Sequence, residues 1–254
     1  MLQYNGGKGS TFRQIINRLP AHDVYIEPFL GAGAVMRHKR PAALNIGCDL
    51  CQPILAAVAE AIVPGATTTD GGTMLDALTV WPGTVKPSQD SPQFHFAHVD
   101  AMQFLAVYPW SGSEVVYCDP PYLMSTRRSQ RDLYDHELDR AGHIRLLELL
   151  KRLPCRVAIS GYWSELYAQR LAGWYSISYQ AQTRSGEVAT EWLWMNYPEP
   201  AELHDYQWLG DNYRERERIK KKKTRWVNRF QNLDPLERHA IVWALRDSGV
   251  FHAG

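Results

Sequence analysis

The chain lacks any apolar run approaching the roughly 20 residues of a membrane span, and its opening residues, Met1 to Lys8, have no secretory pattern. Cysteine is scarce, with 4 in 254 residues. So few thiols in so long a chain do not make a disulfide framework, and a cytoplasmic, reducing setting is expected. Cys48 and Cys51 form one C-x-x-C, but no further ligands stand at zinc spacing; they read as buried thiols and no metal is expected. Internal repeats and long low-complexity segments are also missing. The net charge of +1 excludes a global bias toward polyanions, although its distribution is uneven. What is present, 45% hydrophobic and 22% charged residues, suits a globular α/β protein with a large core.

The most informative stretch is Val115-Val116-Tyr117-Cys118-Asp119-Pro120-Pro121-Tyr122. Val and Tyr favour extended backbone. The two prolines have no N–H and cannot continue a central sheet. A buried strand therefore stops at Asp119 and leaves a stiff shelf at its carboxyl end, where open α/β sheets bind ligands. A carboxylate there accepts hydrogen bonds from an amino group, the Pro120 carbonyl is a second acceptor, and Tyr122 offers a flat face. This set suits a planar base bearing an exocyclic NH2, adenine or cytosine. A plain proline turn with Asp119 as a surface cap uses the same residues.

Upstream, Tyr4-Asn5-Gly6-Gly7-Lys8-Gly9 is a glycine-rich turn leading into an amphipathic helix with Phe12, Ile15, Ile16 and Leu19. Val24 to Glu27 reads as a strand, Pro28-Phe29-Leu30-Gly31-Ala32-Gly33 as a tight loop, and Ala34 as the start of a helix. This order brings backbone close to a nucleotide-like ligand. The dinucleotide pattern is incomplete, because Met36 stands at its third glycine, and Glu27 would repel a pyrophosphate. A cationic or zwitterionic ligand is expected. Ala43 to Cys48 is the next strand and ends at Asp49, which is placed to hold ribose hydroxyls or to cap the helix from about Leu50 to Ile62. Gln93 to Val99 is a strand ending at Asp100. Residues 64–92 read as a surface insertion with a short helix over Met74 to Trp81.

After the shelf, Leu123 to Arg140 reads as a mobile charged loop whose arginines, Arg127, Arg128 and Arg131, are candidates for phosphate or a guanine edge. Two strands, Trp174 to Gln182 and Glu191 to Tyr197, follow, with a turn around Ser185-Gly186. From Arg214 to Arg225 the charge is +6 in twelve residues, leaving −5 on the rest of the chain. Lys220, Lys221, Lys222, Lys223 and Arg225 stand out as backbone contacts to a polyanion beside the mouth of the site; a solvated helix face is the alternative. A final helix, Leu233 to Leu245, has Asp234 and Pro235 at its start.

Read in order, Tyr4-Asn5-Gly6-Gly7-Lys8, Glu27-Pro28-Phe29-Leu30-Gly31-Ala32-Gly33, Asp49, Asp100 and Asp119-Pro120-Pro121-Tyr122 resemble the Dam-like, or D12-class, adenine-N6 DNA methyltransferases. Ala158 to Tyr162 and Thr190 to Tyr197 extend the likeness over roughly residues 4 to 197. The resemblance implies S-adenosylmethionine as methyl donor and a Rossmann-like seven-stranded sheet with an antiparallel last strand, typical of class I methyltransferases. It implies that Tyr4, Gly7, Lys8, Glu27, Pro28, Phe29, Gly31, Gly33, Asp49, Asp100 and Asp119 line the cofactor site. Asp119, Pro120, Pro121 and Tyr122 would be catalytic and would hold a flipped-out target adenine in double-stranded DNA. The expected organisation is a methyltransferase domain over 1–200, with a short insertion at 63–92, and a helical basic extension over 201–254. That insertion is small and poor in basic residues, with Lys86 its one Lys or Arg, where relatives carry a helical target-recognition segment. A small enzyme of phage or prophage type, of the restriction–modification kind, with relaxed or relocated recognition is implied. The rivals are cytosine-N4 methylation, RNA adenine methylation, and a non-catalytic DNA-binding protein of the same fold.

Overall fold

The computed structural model describes residues 9, 11–71, 88–127, 136–182 and 187–249. The expected helix over Met74 to Trp81 and the turn around Ser185-Gly186 lie outside them.

Alternating side chains build the sheet from within. In β5 (Glu114–Cys118) every residue is buried, and neighbouring residues serve opposite faces. Val116 and Cys118 join a core with Ile26, Phe104, Leu146 and Leu166. Val115 and Tyr117 join a second core with Phe12, Ile15, Leu55 and Val58. Such continuous burial is the mark of a parallel strand covered on both sides, and each large apolar side chain so placed contributes about 1.5–3 kcal/mol.

The other strands are β1 (Val24–Glu27), β2 (Leu44–Asp49), β3 (Thr68–Asp70), β4 (Gln93–His98), β6 (Arg156–Tyr162), β7 (Tyr175–Gln182) and β8 (Val188–Met195). They form one 8-stranded sheet in the order β3-β4-β2-β1-β5-β6-β8-β7. β8 runs antiparallel to both β6 and β7, and the remaining pairs are parallel. This is the expected sheet with its reversed final strand, plus one strand. The extra strand, β3, comes from the insertion that was expected to hold loop and helix. Its Thr68, Thr69 and Asp70 extend by pairing with Phe96, Ala97 and His98.

Helices α1 (Phe12–Ile16), α2 (Ala34–His38) and α3 (Gln52–Ile62) cover one face. Helices α4 (Ala101–Val107), α5 (Arg140–Leu150) and α6 (Glu165–Arg170) cover the other. β1 and β5 are neighbours, and the chain leaves them toward opposite faces, so the sheet has its topological switch between their carboxyl ends.

Beyond β8 the chain crosses to the amino-terminal edge of the sheet. There the His204 amide donates to the Leu19 carbonyl at 3.0 Å, and its Nε2 donates to Arg40 O at 3.0 Å. Asp205 Oδ2 accepts from the Arg40 amide at 2.8 Å. Trp208 Nε1 donates to His38 O at 3.0 Å, and Asn17 Nδ2 donates to Trp208 O at 2.7 Å. His204 also stacks on His22, with centroids 3.8 Å apart. From this root rise α7 (Tyr213–Gln231) and α8 (Pro235–Asp247), neither of which buries a residue. The basic segment was expected beside the mouth of the site; its root is instead at the opposite edge of the strands. Among the described residues no helix is long and apolar enough to cross a membrane.

Candidate active site

Glu27, Asp49 and Asp119 all stand at carboxyl ends of parallel strands, around the switch between β1 and β5. The loop between β1 and α2 is held by its own backbone. Leu30 N donates to Cys48 O at 2.8 Å and Gly33 N to Leu30 O at 2.7 Å. Gly31 and Gly33 have φ of 50° and 62°, a left-handed conformation that disfavours side chains. Gly33 carries a second constraint: a Cβ there would lie 2.7 Å from Val58 Cγ1 of α3.

Asp49 braces this loop. Its Oδ2 accepts from Gly31 N at 2.8 Å and its Oδ1 from Cys51 N at 2.8 Å. Each oxygen keeps further acceptor capacity, so a ribose diol fits the same carboxylate. The N-cap of α3 is Cys51, without a side-chain cap. Asp100 caps α4, accepting from Gln103 N at 2.9 Å. Cys48 is buried and Cys51 half-buried, so the paired burial expected for the C-x-x-C is met at the first position alone.

Glu27 faces inward. Its Oε2 accepts from Tyr25 OH at 3.1 Å and from Met36 N at 3.2 Å, and burial is the main cause that lifts its carboxyl to about 8. A carboxyl that keeps its proton near neutrality loses the electrostatic preference for a cation expected from the sequence. The buried Lys39 amine beside it is pushed down to about 7, again chiefly by desolvation. Folded Glu27 holds its proton up to about 8, whereas an unfolded chain releases it near 4.5, so this residue makes stability fall as pH rises across that window. Lys39 acts in the opposite sense, and only above about 7. Burial also holds the His22, His143 and His204 imidazoles below their usual range, and these act in the opposite sense up to about 6.5. The Glu27 share is therefore read as a difference: between pH 5 and 7 the melting temperature of the native protein should fall relative to that of Glu27→Gln, whose amide oxygen keeps both hydrogen bonds. A difference that stays constant in a thermal-melt series would refute the buried, protonated Glu27.

On the shelf, Asp119 is held by a residue of β6. Ser160 Oγ donates to Asp119 Oδ1 at 2.9 Å and lies 2.9 Å from Tyr117 OH. A serine has one proton to give, and the carboxylate takes it, so Tyr117 donates to Ser160. Tyr122 also hydrogen-bonds Ser160, and its ring meets Tyr162 edge-on at 4.7 Å. Burial and then the negative charges of Asp119 and Glu191 push its phenol well up, so it stays a neutral donor. Ser160, Tyr117 and Tyr162 had no assigned role in the sequence. Ser160 is one small hydroxyl in an apolar strand, and its register opposite β5 is what gives it meaning. Beside the shelf opens a cleft of about 350 Å³, lined in part by Leu123, Ser125, Arg140, Ser164 and Gln169.

Arg127, expected to reach phosphate or a guanine edge, is engaged within the chain. Its guanidinium forms a fork with Glu137 at 2.7 and 2.6 Å and is 5% exposed, so it braces the loop after the shelf. Arg128 and Arg131 lie outside the described residues, as do Tyr4, Gly7 and Lys8.

Three features of this edge fit S-adenosylmethionine: the glycine loop's backbone, a ribose-type carboxylate at the next strand end, and an acceptor shelf across the switch. Among curated proteins none matches the chain. Solved structures similar to it include an rRNA methylase from Streptococcus thermophilus, at 11% identity over 77% of this chain and 97% of that one, TM-score 0.41. Another is magnesium protoporphyrin IX methyltransferase from Synechocystis PCC 6803 with bound S-adenosylmethionine, at 13% identity over 74% and 78%, TM-score 0.40. The family model for D12 class N6 adenine-specific DNA methyltransferases matches residues 4–64 and 90–182. Over half the chain is covered, on both sides of the insertion and through the shelf, and the chain belongs to this family of methyltransferases, which take their methyl group from S-adenosylmethionine.

Proposed function

We propose that the protein methylates N6 of adenine in double-stranded DNA, by direct attack of a base flipped out of the helix. The observation that carries this reading is the braced shelf: Asp119 tied to Ser160, followed by the Pro120 carbonyl and the Tyr122 ring. An adenine amino group is a poor nucleophile because its lone pair is shared with the ring. Asp119 and the Pro120 carbonyl accept its two N–H bonds and favour a tetrahedral nitrogen, which frees the lone pair. S-adenosylmethionine supplies an electrophilic methyl on sulfur. Asp49 and the Gly31–Gly33 backbone would hold that group, so the protein contributes alignment and electrostatics. Inside a duplex N6 is out of reach, hence the flipped base. Stacking on Tyr122 contributes about 1–3 kcal/mol.

The domain limits that fit this reading are a methyltransferase body with a short insertion and a C-terminal basic extension. Radiolabelled methyl transfer to duplex DNA, single-stranded DNA and RNA in parallel tests the substrate class. Preferential labelling of duplex DNA supports the reading, and labelling of RNA alone overturns it.

The ribose assignment is testable separately. Asp49→Ala removes a charged acceptor worth about 1.5–3 kcal/mol and releases Gly31 N. Calorimetry should show S-adenosylmethionine binding weakened at least tenfold. An unchanged dissociation constant would leave Asp49 as a brace for the loop alone.

A further inference from the structure

Helix α7 has an outer face made entirely of cations. At about 100° per residue, Arg214, Arg218, Lys221, Lys222, Arg225 and Arg229 fall within one sector of about 100°, and no other residue of the helix falls in it. All six are exposed. The sector is about 22 Å long at 1.5 Å per residue. Its charge is little offset: Glu215 reaches Arg218 at 3.4 Å, and Arg229 lies over the Trp226 ring at 5.6 Å.

Two of the three cations outside this sector do different work. Lys223 donates to Tyr206 O at 2.9 Å and Arg216 to Gly210 O at 3.2 Å. These two lie on the opposite side and fasten α7 to its root. The lysine run that is conspicuous in the sequence is thus split by helix geometry, and Arg214, Arg218 and Arg225 of the expected basic segment, together with Arg229 beyond it, complete the outer stripe.

Like charges three and four apart oppose the helix that carries them, and here they recur along its whole outer side. A row of phosphates removes that repulsion and matches the stripe in sign and shape. We infer that the outer stripe of α7 is a second DNA-binding surface, separate from the catalytic edge, which grips the phosphate backbone of a duplex without reading its sequence. The family supplies the choice of DNA as the polyanion; binding itself is independent of whether adenine is the methylated base.

The test is fluorescence anisotropy of the full-length protein with two unrelated labelled 20-base-pair DNA duplexes over a salt series. It compares the native protein, the variant with all six stripe residues changed to Gln, and Lys223→Gln. Phosphate contacts give a log–log salt slope of about −0.9 per contact. The six-fold variant should lose at least tenfold in affinity for both duplexes alike, with a slope shallower by about 3–5. Lys223→Gln should keep the native slope, and circular dichroism should show α7 intact. At saturating DNA, kcat should hold while KM for DNA rises. An unchanged slope in the six-fold variant overturns the inference. So does loss confined to one duplex, which would mean base reading, or tighter stripe-dependent binding of a duplex RNA of equal length, which would make RNA the partner.

Discussion

Asp119→Ala is expected to abolish methyl transfer while leaving S-adenosylmethionine binding nearly unchanged. The carboxylate sits at the end of β5 on the target side of the switch, and its fixed oxygen is the one bonded by Ser160. Removing it deletes an acceptor aimed at the reacting nitrogen, a change worth on the order of 10²-fold or more in rate. Ser160→Ala is the informative companion. Asp119 remains, but its orientation is no longer fixed, and the Tyr117 hydroxyl loses its acceptor in a buried site, costing about 1–3 kcal/mol of stability. Turnover should fall roughly tenfold, a rate factor of about 1.4 kcal/mol, with little change in KM for DNA, and Ser160→Thr should restore it. Single-turnover kinetics with calorimetric cofactor binding read both variants. Near-native turnover in Asp119→Ala would remove the shelf from the chemistry, and a purely KM effect in Ser160→Ala would make that serine structural.

The largest structural effect is expected at Gly33. An alanine there meets two obstacles at once. Its backbone, at φ 62°, is one that L-residues resist by about 1–2 kcal/mol. Its Cβ would stand 2.7 Å from Val58 Cγ1, on a buried β-branched side chain in the middle of α3 that has no free rotamer to retreat into. Overpacking of this kind adds about 1–3 kcal/mol. Gly33→Ala should lower the melting temperature by roughly 5–15 °C at about 2–4 °C per kcal/mol, and should weaken S-adenosylmethionine binding because the loop cannot keep its path. Adding Val58→Ala should recover the packing part of the loss and leave the backbone part. A melting temperature within about 2 °C of native in Gly33→Ala would show that the loop yields more easily than its geometry indicates.

Much of this arrangement is legible in the amino-acid sequence. β1, β2 and β5 are largely apolar runs that each end in or just before an acid, and local pattern is enough to place both run and acid. The glycine loop announces itself because positive φ leaves few residue choices. Other features depend on partners distant in sequence. β3 has three residues and extends only because β4 lies alongside. Arg127 looked available for DNA because nothing in its neighbourhood signals that Glu137 folds back on it. Glu27 read as a ligand-facing acid, since a sequence does not show that Tyr25 OH and Met36 N converge on its carboxyl. The basic segment was recognisable as charge, but its division into an anchored side and an outer stripe needs the helix phase and the carbonyls of Tyr206 and Gly210.

The most direct test of the central claim is the identity of the modified base. Duplex DNA should be incubated with the purified protein and isotopically labelled S-adenosylmethionine, digested to nucleosides and resolved by mass spectrometry. The labelled methyl should appear as N6-methyldeoxyadenosine, and it should vanish when Asp119→Ala replaces the native protein. Label in N4-methyldeoxycytidine, or N6-methyldeoxyadenosine that persists in Asp119→Ala, would contradict the account.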